Sequence, residues 1–155
     1  MRHPLAEDVP FADRQFSTPS QKFEFLTAWG EDFCPTVDYP LYLISGKTNT
    51  RLNSQVLDDE RDLLPQVWAH PGVLAEAGVE VGAEALIESS SGQMRVRVHA
   101  DAQQRRDTLF TTQGNWLSAG GTVNQLTGSV ISHDGQLGAY NHVSVRLTRP
   151  PPCDS

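Results

Sequence analysis

The stretch Leu63-Leu-Pro-Gln-Val-Trp-Ala-His-Pro-Gly-Val-Leu-Ala-Glu-Ala-Gly-Val-Glu-Val-Gly-Ala-Glu-Ala-Leu-Ile-Glu-Ser-Ser-Ser-Gly-Gln-Met-Arg-Val-Arg-Val-His99 decides the fold. Leu63 to Ala69 reads as a strand that ends at His70-Pro71. Proline suits the first position of a helix, where its missing N–H is not needed, so a short helix is expected from Pro71 through Ala77. Gly78 stops it. Val79-Glu-Val-Gly82 turns the chain into a strand over Ala83 to Glu88, and Ser89 to Gly92 make a hairpin turn. Met94-Arg-Val-Arg-Val-His99 then alternates, with Met94, Val96 and Val98 on one face. Met94 reads as core, His99 as an outward strand residue and His70 as a helix-start residue.

Outward from this stretch the pattern stays β-like. Leu41 to Ile44 is continuously apolar, which predicts a strand covered on both faces. Thr108-Leu-Phe-Thr111 and Val143-Ser-Val-Arg-Leu147 are further strands, and Phe23 and Phe25 alternate about Glu24 as a short one. Glycine and proline are plentiful and long helical periodicity is scarce. The pattern predicts a mainly β fold, a small barrel with one or two short helices. Residues 1–15 read as a linker or the tail of a preceding domain, 16–148 as the folded domain and 149–155 as a disordered tail. No internal repeat is evident.

The chain has 155 residues and a formal net charge of −7. That balance argues against a nucleic-acid binder held by a general basic field. Only two lysines exist, Lys22 and Lys47. No apolar run approaches the roughly 20 residues of a membrane span. The N-terminus has no secretory h-region, which points to the cytoplasm, although an export signal on a longer parent chain would lie outside this sequence. Cys34 and Cys153 are far apart and favour free thiols in a reduced compartment. His133, Asp134 and His142 match no metal-ligand spacing, so no metal ligand is assigned. No nucleophile elbow, P-loop or dinucleotide fingerprint is present, and no catalytic residue is assigned.

The richest chemistry follows the first strand. Ser45, Thr48, Thr50 and Ser54 bring hydroxyls, and Asn49 and Asn53 bring amides. Lys47 and Arg51 bring positive charge suited to phosphate. Gly46 allows a sharp turn and close backbone approach. Such a loop suits a phosphate-bearing heterocycle.

Several motifs here resemble the C-terminal domain of the bis-molybdopterin guanine dinucleotide oxidoreductases, a family of formate dehydrogenases, nitrate reductases and dimethyl sulfoxide reductases. Thr18, Pro19, Ser20, Lys22, Glu24 and Phe25 resemble its lead-in motif. Gly46-Lys47 and Leu52-Asn53-Ser54 resemble its first cofactor loop. Asn124-Gln-Leu-Thr127 resembles its Asn-x-Leu-Thr motif, and Tyr140-Asn141 its closing loop. The lysine that nitrate reductases carry at the closing loop is replaced by Asn141.

The resemblance implies a six-stranded double-psi β-barrel. It implies cofactor contacts from Ser45, Gly46, Lys47, Thr48, Asn49, Thr50, Arg51, Leu52, Asn53, Ser54, Asn124, Tyr140 and Asn141. Asn124 would meet the pterin; standing alone, such an asparagine reads equally well as a turn cap. Trp116 is either a wall of the substrate funnel or a core or rim aromatic. The implied cofactor is molybdopterin guanine dinucleotide with molybdenum or tungsten, with any iron–sulfur cluster in upstream domains. The implied partners are other domains of the same catalytic subunit, and the chain would be inactive alone. The competing reading is a stand-alone double-psi barrel that acts as a binding or adaptor subunit without redox work. Substrate, metal and electron partner are not written in these residues.

Overall fold

The computed structural model describes residues 9, 11–25, 27, 33–50, 52, 55–129, 131 and 138–151. The chain divides into two compact units, Met1–Asp32 and Phe33–Ser155. In the first, the expected strand at Phe23–Phe25 is absent, and these residues have no regular secondary structure. Aromatic packing replaces it: Phe23 meets Phe25 edge-on at 4.8 Å and Phe16 at 6.0 Å, and Phe16 stacks on Phe11 at 5.2 Å. The Thr18 hydroxyl donates to the Lys22 carbonyl at 2.6 Å, and the Ser20 hydroxyl donates to the Glu24 carboxylate. The lead-in motif therefore closes a local turn. Alternation alone did not make a strand because, among the described residues of this unit, no neighbouring strand supplies a ladder.

The second unit holds β1 (Leu41–Gly46), β2 (Gln66–Ala69), α1 (Pro71–Ala77), β3 (Glu84–Glu88), β4 (Gln93–Ala100), β5 (Thr108–Thr112) and β6 (Ser144–Thr148). Single 3₁₀ turns occupy Asp58–Glu60, Leu117–Ala119 and Val123–Gln125. β2 begins later than the expected Leu63 because Pro65 has no N–H to give the ladder. Only the Pro65 carbonyl joins it, accepting from Arg97 N. α1 has the expected bounds. His70 Nδ1 accepts from Gly72 N at 2.9 Å, and Gly78 leaves the helix at φ 64°. That left-handed conformation favours glycine.

The six strands close into a barrel in the order β1-β5-β2-β4-β3-β6. β1 runs parallel to β5 and β2 parallel to β4, and the other four neighbours are antiparallel. Exchanging β1 with β4, β2 with β5 and β3 with β6 returns the same ring and the same directions. The barrel is thus two interlocked three-strand halves, each sending its first strand beside the middle strand of the other. This is double-psi connectivity.

The interior is apolar. Val67, Ala69, Ala85, Ile87, Met94, Val96, Val98, Leu109 and Val145 are fully buried. Each large one is worth about 1.5–3 kcal/mol of transfer free energy. Thr111 is the buried polar exception, and its hydroxyl donates to the Gln66 carbonyl at 2.8 Å. Outside, β3, β4 and β6 are laced by Glu84–Arg95, Glu84–Arg97 and Glu88–Arg146 pairs. The expectation that β1 is covered on both faces fails: Leu43 and Ser45 point inward, but Ile44 is 42% exposed. β1 pairs with β5 and β6 like any barrel strand, and its outer face at Ile44 is left partly open.

Candidate functional site

Strand direction places the site. The odd-numbered strands all run one way and the even-numbered ones the other. Every connection from an odd to an even strand therefore lies at one end of the barrel. These connections span residues 47–65, 89–92 and 113–143. The three segments singled out in the sequence come together there for that reason, while α1 sits at the opposite end.

At this end of the barrel opens a cleft of about 470 Å³. Ser45 near the end of β1 and Asn124 and Tyr140 on the 113–143 connection line it. Gln113, Asn115, Thr122 and Thr127 complete its polar wall, with Gly114 and Val123. Among the described residues, no Asp, Glu, Lys, Arg or His lines it. The wall is a set of neutral amides and hydroxyls, able both to donate and to accept.

Local sequence explains how Asn124 gets there. Val123 and Leu126 are buried at 7% and 1% exposure and pin the turn to the core. Gln125 Oε1 accepts from Thr122 N at 2.9 Å, and the Thr127 hydroxyl donates to the Val123 carbonyl at 3.1 Å. The hairpin residue Ser89 anchors the turn by donating to the Leu126 carbonyl at 2.9 Å. The alternation of apolar anchors leaves Asn124 exposed at the cleft.

The other expected contacts distribute differently. Thr48 and Thr50 line a second cleft of about 770 Å³, with Trp68, Gln66, Glu60 and Thr112. Lys47, Asn49 and Leu52 are exposed. Arg51, Asn53 and Ser54 lie outside the described residues, as do His133, Asp134 and Cys153. Gly46 does not turn; it ends β1 opposite Thr112 without a positive φ. A Cβ there would meet the Phe110 ring at 2.8 Å, so the side-chain space is filled by an aromatic ring. Asn141 is exposed, and its Oδ1 accepts from Ser45 N at 3.2 Å. Trp116 is not part of the lining of the smaller cleft. Its Nε1 donates to the Leu57 carbonyl at 3.0 Å, and the Arg61 guanidinium lies 5.0 Å from its ring centroid. It ties the 113–143 segment to the 47–65 segment.

Gln113, Asn115, Thr122 and Thr127 were not anticipated. Asn115 Nδ2 donates to the Thr112 carbonyl at 3.0 Å and closes the turn that carries Gln113. The nearest signals are the polar run Thr112-Gln-Gly-Asn before Trp116 and, for Thr127, the Asn124-Gln-Leu-Thr127 motif itself. Cys34 is an exposed free thiol. Among the described residues, no three His, Cys, Asp or Glu side chains group as a metal site.

A double-psi barrel with a cleft of amides and hydroxyls at one end has the form of a ligand-binding domain. The particular family follows from comparison with known proteins: residues 41–144 match the Molydopterin dinucleotide binding domain, and the chain belongs to that family. The match runs from the first residue of β1 to the first of β6. Among curated proteins, the chain is 30% identical to the probable oxidoreductase YyaE of Bacillus subtilis, over 83% of this chain and 22% of that protein. It is 29% identical to the assimilatory nitrate reductase catalytic subunit of the same organism, over 73% of this chain and 16% of that protein. The chain thus spans about a fifth of the length of these relatives. Acetylene hydratase from Pelobacter acetylenicus shares the fold, with a TM-score of 0.59 at 14% identity, over 72% of this chain and 18% of that one. No helix among the described residues is long and apolar enough to cross a membrane.

Proposed function

We propose that this chain is the C-terminal cofactor-binding part of a molybdenum- or tungsten-dependent oxidoreductase, and that its neutral cleft receives the pterin. The observation that carries this reading is the convergence of Ser45, Asn124 and Tyr140 on one cleft that, among the described residues, is lined by amides and hydroxyls. A pterin edge alternates hydrogen-bond donors and acceptors and is uncharged. Amides and hydroxyls match it without leaving a buried charge unpaired. Lys47, exposed beside the cleft residue Ser45, is available to the phosphates of the same cofactor. The donor set therefore fits the group. The metal and its dithiolenes supply the electron-transfer chemistry when bound, and this chain's residues bind and orient the group.

The metal ligand and any iron–sulfur cysteines then belong to other domains of the same subunit, and the isolated chain turns over no substrate. Reduction or oxidation of any substrate by the isolated chain would sink that statement. Asn124→Ala in the full-length enzyme is expected to lower the pterin retained per subunit while the barrel stays folded. One lost hydrogen bond to a buried polar group costs about 1–3 kcal/mol, and other contacts make the loss partial. Unchanged pterin and metal content in that variant would count against the assignment.

A further inference from the structure

We propose that Asn141, with Gln113, is a positioning residue: the two lock Ser45 so that β1 and both ends of the 113–143 connection share a fixed point before any ligand arrives. This rests on the cofactor reading above for its consequence, but not for its geometry.

The antiparallel register of β1 and β6 pairs Leu41 with Val145 and Tyr42 with Ser144. One step further, Leu43 N donates to the Val143 carbonyl at 2.9 Å. The next inward residue of β1 is Ser45, and continuing the register puts Asn141 opposite it. The Ser45 N–H meets the side-chain Oδ1 of Asn141 at 3.2 Å. The amide thus stands in for a backbone carbonyl and extends the ladder beyond the end of β6.

The other edge of β1 is held as well. Gln113 follows the last residue of β5, and its own N–H donates to the Gly46 carbonyl at 2.9 Å. Its Nε2 lies 3.1 Å from Ser45 Oγ and 3.4 Å from the Ser45 carbonyl. The carbonyl can only accept, which makes Gln113 the donor to both oxygens. Ser45 Oγ then accepts from Gln113 and keeps its own proton for an acceptor on a ligand. One residue on β1 is clasped by the segments before β6 and after β5, and it presents a hydroxyl of set orientation to the cleft.

What Asn141 supplies to Ser45 is its carbonyl oxygen, and this separates the proposal from a direct ligand contact through the NH2 group. The tests are hydrogen exchange at the Ser45 amide and pterin content of the purified full-length subunit. In Asn141→Ala, Ser45 exchange is expected to rise about three- to tenfold and pterin content to fall, with the Val96 and Val98 amides unchanged. Asn141→Asp keeps the acceptor and loses the NH2; it is expected to restore both readouts. Unchanged Ser45 exchange in Asn141→Ala would overturn the proposal. An Asn141→Asp variant that protects Ser45 yet still loses pterin would also overturn it, because the NH2 would then be the needed group. Should the alanine variant not fold, the aspartate variant against the natural protein still decides between acceptor and donor. If the natural protein carries no pterin, the cofactor reading fails while the exchange result stands by itself.

Discussion

At the scale of the residue, Gly46 ends β1 with the Phe110 ring in the space that a side chain would take. Gly46 was singled out for a sharp turn toward a ligand, and the structure uses it instead as a seat for the Phe110 ring. Gly46→Ala would place a Cβ at 2.8 Å from two ring carbons. Phe110 also leans on Trp68, with centroids 5.9 Å apart, which limits how far the ring can retreat. Overpacking of this kind costs about 1–3 kcal/mol. Urea denaturation should show that loss; an unaltered midpoint would mean the ring moves freely. Asn124 reaches the cleft on a turn built from adjacent residues, Val123 and Leu126 as anchors and Gln125 as the closing amide. The Ser45–Asn141 contact was not legible, because its partners are far apart in the chain and meet only through the strand register.

Among the elements, α1 was the most readable, since its start and stop are local chemistry. Pro71 fits the first helical position, Gly78 takes the left-handed exit, and Val73 and Leu74 turn to the core. The structure adds that His70 is the cap, its Nδ1 taking the Gly72 N–H. His70→Ala is expected to cost about 1 kcal/mol, the usual loss of a capping side chain, and to lower the thermal midpoint. His70→Asn should recover most of it, because asparagine is a good cap; equal losses in the two variants would show that the cap bond is not what stabilises this end. The β-strands were readable as strands to within a few residues, because alternation is local. Their neighbours were not. β1 read as covered on both faces because four apolar residues in a row look alike from either side, and only the ring order shows that Ile44 faces outward.

For the whole molecule, the internal two-fold of the barrel left no repeat in the sequence, since the exchange of halves is kept by strand order and direction rather than by residue identity. The same topology explains why the end of β1 and the 113–143 connection, remote in sequence, form one cleft. It also sets where charge matters. Among the described residues the ion pairs lie on the outer surface, so acid should act on the stability of the barrel. The Arg105 guanidinium, with the Thr108 hydroxyl, holds the Asp107 carboxyl down from 3.8 to about 2. Glu88, bonded by Arg146 across the β3–β6 seam, is likewise held below its ordinary value. A carboxylate with a depressed folded-state value contributes stability that is fully present above its unfolded value and is lost as pH falls through the folded one. For Asp107 that window runs from about 4 down to about 2. Asp107 has a side-chain exposure of 39%, so its share is screened by water and salt. Urea midpoints measured from pH 5 down to pH 2.5 should therefore fall for the natural protein. The fall should be shallower in Asp107→Asn, which has no carboxylate left to protonate there, and the two should converge as the pH approaches 2. Parallel curves for the two proteins would mean that the Arg105–Asp107 pair does not contribute to folding.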